Sequence, residues 1–246
     1  MTKRTARLKS HNEGHDSKVR TLFHEVTGWD PVEEEDREQR YVRKVRPQSD
    51  NQRLLMEAIQ GHNLTLALGP AGTGKTYLAI AQAVEALESG AVNRIVLSRP
   101  AIEAGESLGF LPGNMHEKLA PYLQPLYDAL NERLGAKRLK AYLANGSIEI
   151  APVAFMRGRT LNGAFVVIDE AQNCTYAQIK MLLTRLGWHS TMVLTGDPDQ
   201  SDLLEGLSGL SVIAQKLEVV SGIAVVRLSD RDIVRHPLVA SMLGVL

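Results

Sequence analysis

One run of eight residues constrains this chain more than any other: Gly69-Pro70-Ala71-Gly72-Thr73-Gly74-Lys75-Thr76. It fits the pattern G-x-x-x-x-G-K-[ST]. It follows the apolar run Leu64-Thr65-Leu66-Ala67-Leu68 and opens a helical pattern over about 75–89. Glycines there let the backbone wrap so that its N–H groups face an anion, and the helix N-terminus adds partial positive charge. In such a loop Lys75 reaches the β- and γ-phosphates of a nucleotide and Thr76 ligates Mg²⁺. The residues expected to hold a nucleotide are therefore Gly69, Pro70, Ala71, Gly72, Thr73, Gly74, Lys75 and Thr76, with Tyr77 on the first helical turn.

The rest of the chain supplies a setting for that loop. Short apolar runs at 94–98, 148–151, 165–168, 191–195 and 223–228 read as strands. Helical patterns lie at about 50–59, 115–132, 137–144, 175–185, 207–217 and 237–244. Phe165-Val166-Val167-Ile168 is apolar on both faces, which suits a parallel sheet covered by helices. The regular alternation predicts an α/β fold with a mostly parallel, doubly wound sheet. Ligands of such sheets bind beyond the C-terminal ends of the strands.

Asp169 and Glu170 close the strand at 165–168. An apolar strand ending in two carboxylates is the natural partner of a phosphate loop. Asp169 holds Mg²⁺ in this reading, directly or through water, and Glu170 orients and deprotonates an attacking water. Thr195-Gly196-Asp197-Pro198-Asp199-Gln200 follows another apolar strand. It is either an ordinary turn or a loop whose amide touches the γ-phosphate and reports hydrolysis.

Phosphoryl transfer needs positive charge beyond Lys75 and Mg²⁺. Candidates are Arg99, the pair Arg157 and Arg159 around Gly158, and Arg227, Arg231 and Arg235. Arg157 and Arg159 suit RNA phosphates as well as ATP. Residues 99–118 form a long polar, Gly-rich connection. Its Phe110 either stacks on a base or tucks the loop onto the core.

Totals exclude several classes. The chain has 246 residues, 28 basic and 28 acidic side chains, and a hydrophobic fraction of 44%. That is a packed domain without a charge balance that demands nucleic acid or membrane. Cys174 is the single cysteine, so no intramolecular disulfide forms. No signal peptide and no run long enough for a transmembrane helix is visible, which points to the cytoplasm. Composition changes near Pro47. Residues 1–47 read as a charged, partly disordered arm, solvated or touching RNA, and 48–246 as the globular domain. Cys174, Trp29 and Trp188 read as packing residues, and the seven histidines show no metal spacing.

Residues 48–246 resemble the PhoH-like family of phosphate-loop ATPases. Besides the loop, the resemblance rests on Ser98-Arg99-Pro100-Ala101, Gly105-Glu106-Ser107-Leu108-Gly109-Phe110-Leu111-Pro112-Gly113, Pro121-Tyr122-Leu123 and residues 155–162. Further carriers are Asp169-Glu170-Ala171-Gln172-Asn173, residues 183–187 and Val234-Arg235-His236-Pro237. The chain departs from the family pattern at Ser98, where Thr is usual, and at Pro198-Asp199, where Val-Thr is usual.

The resemblance implies a RecA-like P-loop NTPase fold, ATP hydrolysis with Mg²⁺ and a link to RNA metabolism. The family core is similar to one motor domain of superfamily-one helicases. That likeness implies that Gln52 reads adenine and that Gly196, Asp197 and Gln200 form the γ-phosphate sensor. One motor domain lacks the second that would supply an arginine, so the resemblance implies a homo-oligomeric ring, a hexamer, with the arginine given in trans. Arg235 is the first choice, with Arg227 and Arg231 behind it. Two functions follow as expectations: an ATPase acting on single-stranded RNA as a helicase or remodeller, or a nucleotide-gated adaptor for an RNA-processing nuclease. A small-molecule kinase is a weaker third, because Glu170 favours water as the attacking group.

Overall fold

The computed structural model describes residues 45–100, 115–204 and 206–234, the side chains of 115–120 excepted. Most of the expected N-terminal arm, most of the loop at 99–118 and the helix at 237–244 lie outside the described residues.

Helix α1 (Asp50–Gly61) precedes strand β1 (Leu64–Leu68), and α2 (Lys75–Glu88) follows the glycine loop. Then come β2 (Arg94–Arg99), α3 (Met115–Leu134), α4 (Ala136–Ala144), β3 (Ile148–Pro152) and β4 (Ala164–Ile168). The described chain ends with α5 (Tyr176–Leu183), β5 (Thr191–Gly196), α6 (Leu210–Leu217) and β6 (Ile223–Arg227). The six strands form one sheet in the order β3-β2-β4-β5-β1-β6, every pair parallel. This is the RecA-like P-loop NTPase fold.

Strand alternation divides the core in two. Ala67, Ile95, Leu97, Phe165, Val167 and Val193 face α1 to α4. Leu66, Leu68, Val96, Val166, Ile168 and Leu194 face α5 and α6. Both faces are covered, which is why β1 and β4 are buried along their whole length. Helix α2 is the central one, buried continuously from Leu78 to Val84, as a helix apolar almost all round predicts. Helix α1 buries Leu55 and Ile59, one turn apart, and is capped by the Ser49 hydroxyl, which accepts from the Gln52 N–H at 3.2 Å.

The helix expected at 207–217 begins only at Leu210. The two residues before it are engaged by the segment that opens α5: Ser208 bridges Thr175, and the Gly209 N–H donates to the Cys174 carbonyl at 3.0 Å. A β-carbon on Gly209 would lie 2.3 Å from Tyr176 Cα, so only glycine fits this crossing. The helix expected at 175–185 is shorter at both ends. Thr175 is its cap, in a capping box with Gln178, and the chain turns after Leu183.

Candidate active site

The strand order sets the site. Strand β5 lies between β1, which feeds the glycine loop, and β4, which feeds Asp169 and Glu170. Their C-terminal ends therefore present the loop, residues 195–200 and the two carboxylates side by side. The Gly69 N–H donates to the Gly196 carbonyl at 3.1 Å, and the Asp169 N–H to the Ser98 carbonyl at 2.8 Å. Between them opens a cleft of about 300 Å³. Ala71, Gly72, Gly74, Lys75, Thr76 and Tyr77 line one wall, and Asp169, Glu170, Gln172, Gly196, Asp197 and Gln200 line the other.

Two glycines of the loop are dictated by geometry. Gly69 has φ +139° and runs so close to the next strand that a β-carbon would lie 2.3 Å from the Leu228 carbonyl. Gly74 caps α2 with φ +83°. The Lys75 ammonium is buried and donates to the Gly69 carbonyl at 2.5 Å and the Pro70 carbonyl at 2.7 Å. Burial pulls its pKa below the usual lysine value, while Asp197, Glu170 and Asp169 pull it back up. Tyr77 sends its hydroxyl to Glu132 of α3 at 3.3 Å.

Asp169 is buried and accepts from two hydroxyls, Thr76 Oγ1 at 2.5 Å and Thr195 Oγ1 at 2.7 Å. Arg99 Nη1 lies 3.7 Å from its other oxygen. A Thr76 hydroxyl that gives its proton to Asp169 keeps its lone pairs for a cation. That donor set fits Mg²⁺, which binds few protein oxygens and keeps waters and phosphate oxygens around it. Among the described residues no cluster of three or more His, Cys, Asp or Glu side chains forms an all-protein metal cage.

Glu170 carries an uncommon backbone conformation, φ +52° and ψ +43°, the left-handed region. Non-glycine residues held there concentrate at functional sites. Its carboxylate accepts from Arg99 Nη2 at 3.4 Å on one oxygen and from the Gln172 amide on the other. Gln172 is itself buried, and its Oε1 accepts from the Asp197 N–H at 3.1 Å. One side chain thus joins the base candidate to the loop beyond β5. That loop is pinned again where Asn173 and Asp202 exchange two hydrogen bonds of 2.8 Å. Gln200 is exposed at the cleft mouth, its N–H on the Asp197 carbonyl at 3.2 Å.

Among the arginine candidates, Arg99 reaches the carboxylates. Arg159 does not: both its terminal nitrogens hold Glu149 at 2.6 Å. Arg227 pairs with Glu218, and Arg157 and Arg231 are exposed. Arg235 lies outside the described residues. Gln52 is buried beneath the loop, its amide donating to the Thr73 carbonyl at 3.1 Å. Cys174 is fully buried in the core, where burial pushes its thiol up to about 12, so it is a packing residue.

A family profile described as PhoH-like protein matches residues 44–246. The chain belongs to the PhoH-like family. It is 52% identical over 202 residues to a PhoH-like protein of Bacillus subtilis, a match covering 82% of this chain and 63% of that one. It is 44% identical over 205 residues to the protein PhoH of Escherichia coli, covering 82% of this chain and 58% of that one. The PhoH-like chain thus spans about 60% of the length of the curated relatives it matches. Among solved structures, the Sulfolobus solfataricus SWI2/SNF2 ATPase core in complex with dsDNA is similar at a TM-score of 0.45 and 18% identity, over 72% of this chain and 42% of that one.

Sequence reasoning passed over Gln172 and Thr195 as site residues in this PhoH-like chain. Gln172 stood in the motif with Asp169 and Glu170 but carried no role. Thr195 gave one usable signal, a hydroxyl directly after the apolar run Met192-Val193-Leu194. No described helix is long and apolar enough to cross a membrane.

Proposed function

We propose that this protein is a Mg²⁺-dependent ATPase of the cytoplasm that acts on RNA as a homo-oligomeric ring. The observation that carries the ATPase reading is the contact of Thr76 with Asp169 at 2.5 Å, with Glu170 and Lys75 on the same cleft. In this reading the N–H groups of residues 69–76 hold the phosphates of ATP, and the Lys75 ammonium exchanges its loop carbonyls for β- and γ-phosphate oxygens. Thr76 and Asp169 hold Mg²⁺, which when bound neutralises charge on the phosphates. Glu170 orients a water and takes its proton as the water oxygen bonds to the γ-phosphorus and the bond from that phosphorus to the β–γ bridging oxygen breaks, releasing ADP and phosphate. Arg99 sets a positive charge beside both carboxylates, and Gln200 contacts the γ-phosphate and transmits its loss through residues 197–202.

The RNA and ring parts rest on the family resemblance and on physics. Phosphoryl transfer gains from a cation brought by a second body. In a cyclic assembly each neighbour supplies one, and Arg235, then Arg227 or Arg231, is the expected donor.

The test is ATPase rate per subunit across protein concentrations, with and without single-stranded RNA, using Glu170→Gln as blank. A rate climbing with both supports the ring and the RNA role. A variant Glu170→Gln that hydrolyses ATP at the normal rate overturns the base assignment, and Lys75→Ala that binds ATP normally overturns the site. A low rate, flat in concentration and RNA, beside nucleotide-dependent binding of a nuclease, replaces the motor with the adaptor.

A further inference from the structure

Gln52 is 4% exposed, and both ends of its side-chain amide are in use. Oε1 accepts from the Gln48 N–H at 2.7 Å, and Nε2 donates to the Thr73 carbonyl at 3.1 Å. It sits against the outer side of the glycine loop, 3.4 Å from where a β-carbon of Gly74 would stand.

Its contact point has a geometric consequence. A trans peptide is planar, so its C=O and N–H point in opposite directions. Fixing the Thr73 carbonyl on Gln52 therefore turns the Gly74 N–H away from Gln52. One neighbouring peptide is held in the same manner. The Gly72 carbonyl accepts from the Val234 N–H at 3.0 Å, which turns the Thr73 N–H away from that contact. The Pro70 carbonyl is held from within the loop instead, by the Thr73 hydroxyl at 2.8 Å and the Lys75 ammonium at 2.7 Å. Two loop carbonyls, those of Gly72 and Thr73, are thus held from outside the loop, and of their two donors Gln52 is the side chain. A further bond, Asn51 Nδ2 to Asp232 Oδ2 at 2.9 Å, fixes the start of α1 to the segment that carries Val234.

We infer that Gln52 is a positioning residue for the phosphate loop, aligning the Gly74 N–H for an anion, rather than the reader of the nucleotide base. This rests on the reading of the cleft as a nucleotide site. The distinction is chemical. A base reader discriminates ATP from GTP. A loop tether acts on any ligand that has the phosphates, including inorganic tripolyphosphate, which has no base.

The experiment compares Gln52→Glu and Gln52→Met with the wild type in the full chain, by calorimetric titration of Mg²⁺-tripolyphosphate, ATP and GTP. Glu keeps the shape and the acceptor for Gln48 but lacks the donor to Thr73, and Met keeps the length without either. Titrations are run where circular dichroism shows each variant folded, so a loss of affinity is not a loss of fold. The expected result is a roughly tenfold weakening for all three ligands, the worth of about one aligned donor. The ATP-to-GTP preference stays unchanged. Because the loop holds phosphates before and during transfer, KM for ATP rises while kcat stays within about twofold. Tripolyphosphate affinity unchanged within about twofold overturns the inference, whether or not the base preference collapses. A wild-type chain that binds neither tripolyphosphate nor ATP overturns the nucleotide site itself, an outcome distinct from a change confined to the variants.

Discussion

Replacing Thr195 by valine removes one hydroxyl and leaves the shape of the side chain nearly intact. Thr195 is 1% exposed and Asp169 is 3% exposed, so no bulk water replaces the lost donor. Asp169 keeps the Thr76 hydroxyl at 2.5 Å and the more distant Arg99. A hydrogen bond to a charged group contributes about 1.5–3 kcal/mol. Thr195→Val is thus expected to destabilise the fold by about 2 kcal/mol, which lowers the melting temperature by about 4–8 °C in a domain of this size. Ser98 provides the matched control. It is also fully buried, one residue before the end of β2 on the far side of β4, and its Oγ has no hydrogen-bond partner among the described residues. Ser98→Ala should change stability by less than about 0.5 kcal/mol. Urea unfolding of both variants at neutral pH is the assay. A Thr195→Val midpoint equal to the wild type, or an equal loss in Ser98→Ala, would show that hydroxyl donation to Asp169 does not stabilise this site.

Three further expectations concern Gly196, Asp232 and Cys174. Gly196→Ala puts a β-carbon 2.6 Å from Leu210 Cδ2 and 2.8 Å from Gln172 Oε1. It should destabilise by about 1–3 kcal/mol in a urea titration and lower turnover through the displaced Gln172. For Asp232, burial raises the carboxyl, but bonds from Asn51, Ser49 and the N–H and hydroxyl of Ser229 outweigh it and bring it to about 2. A depressed carboxyl stabilises the fold above its ordinary value of 3.8 and loses that contribution as pH falls toward 2. The stability gap between wild type and Asp232→Asn should therefore be constant from pH 7 to 5 and close below it; a gap independent of pH refutes the charge. The Cys174 thiol, pushed up to about 12 by burial, should resist a thiol reagent at pH 8 until urea unfolds the chain. Fast labelling of the folded protein would contradict that.

Local chemistry was legible and long-range ties were not. The apolar runs at 64–68 and 165–168 mark their strands because both faces are buried; Thr65 is the one polar residue in either. The glycine loop and the Asp169-Glu170 pair are readable because each is contiguous. Thr195 and Asp169 are separated by β5's whole approach, and nothing in either segment names the other. Gln172 was invisible for a related reason. Its role comes from touching Glu170 and Asp197 at once, which only the adjacency of β4 and β5 creates. The early start expected for α6 failed because Gly209 is fixed by α5, a contact with no trace in helical periodicity.

The position of β1 has a bearing on the order in which the chain assembles. Its hydrogen-bonding neighbours are β5 and β6, paired through Leu64 with Met192 and Ile223. A ribosome that has just finished the glycine loop has made neither of them. Closing those long loops is entropically unfavourable until the final strands emerge, which places this topology among the slow folders. The strand that carries the most recognisable sequence in the protein is thus among the last to find its partners. During synthesis its unpaired edges and five apolar-flanked residues are open to the wrong ones, the condition in which chaperones engage nascent chains.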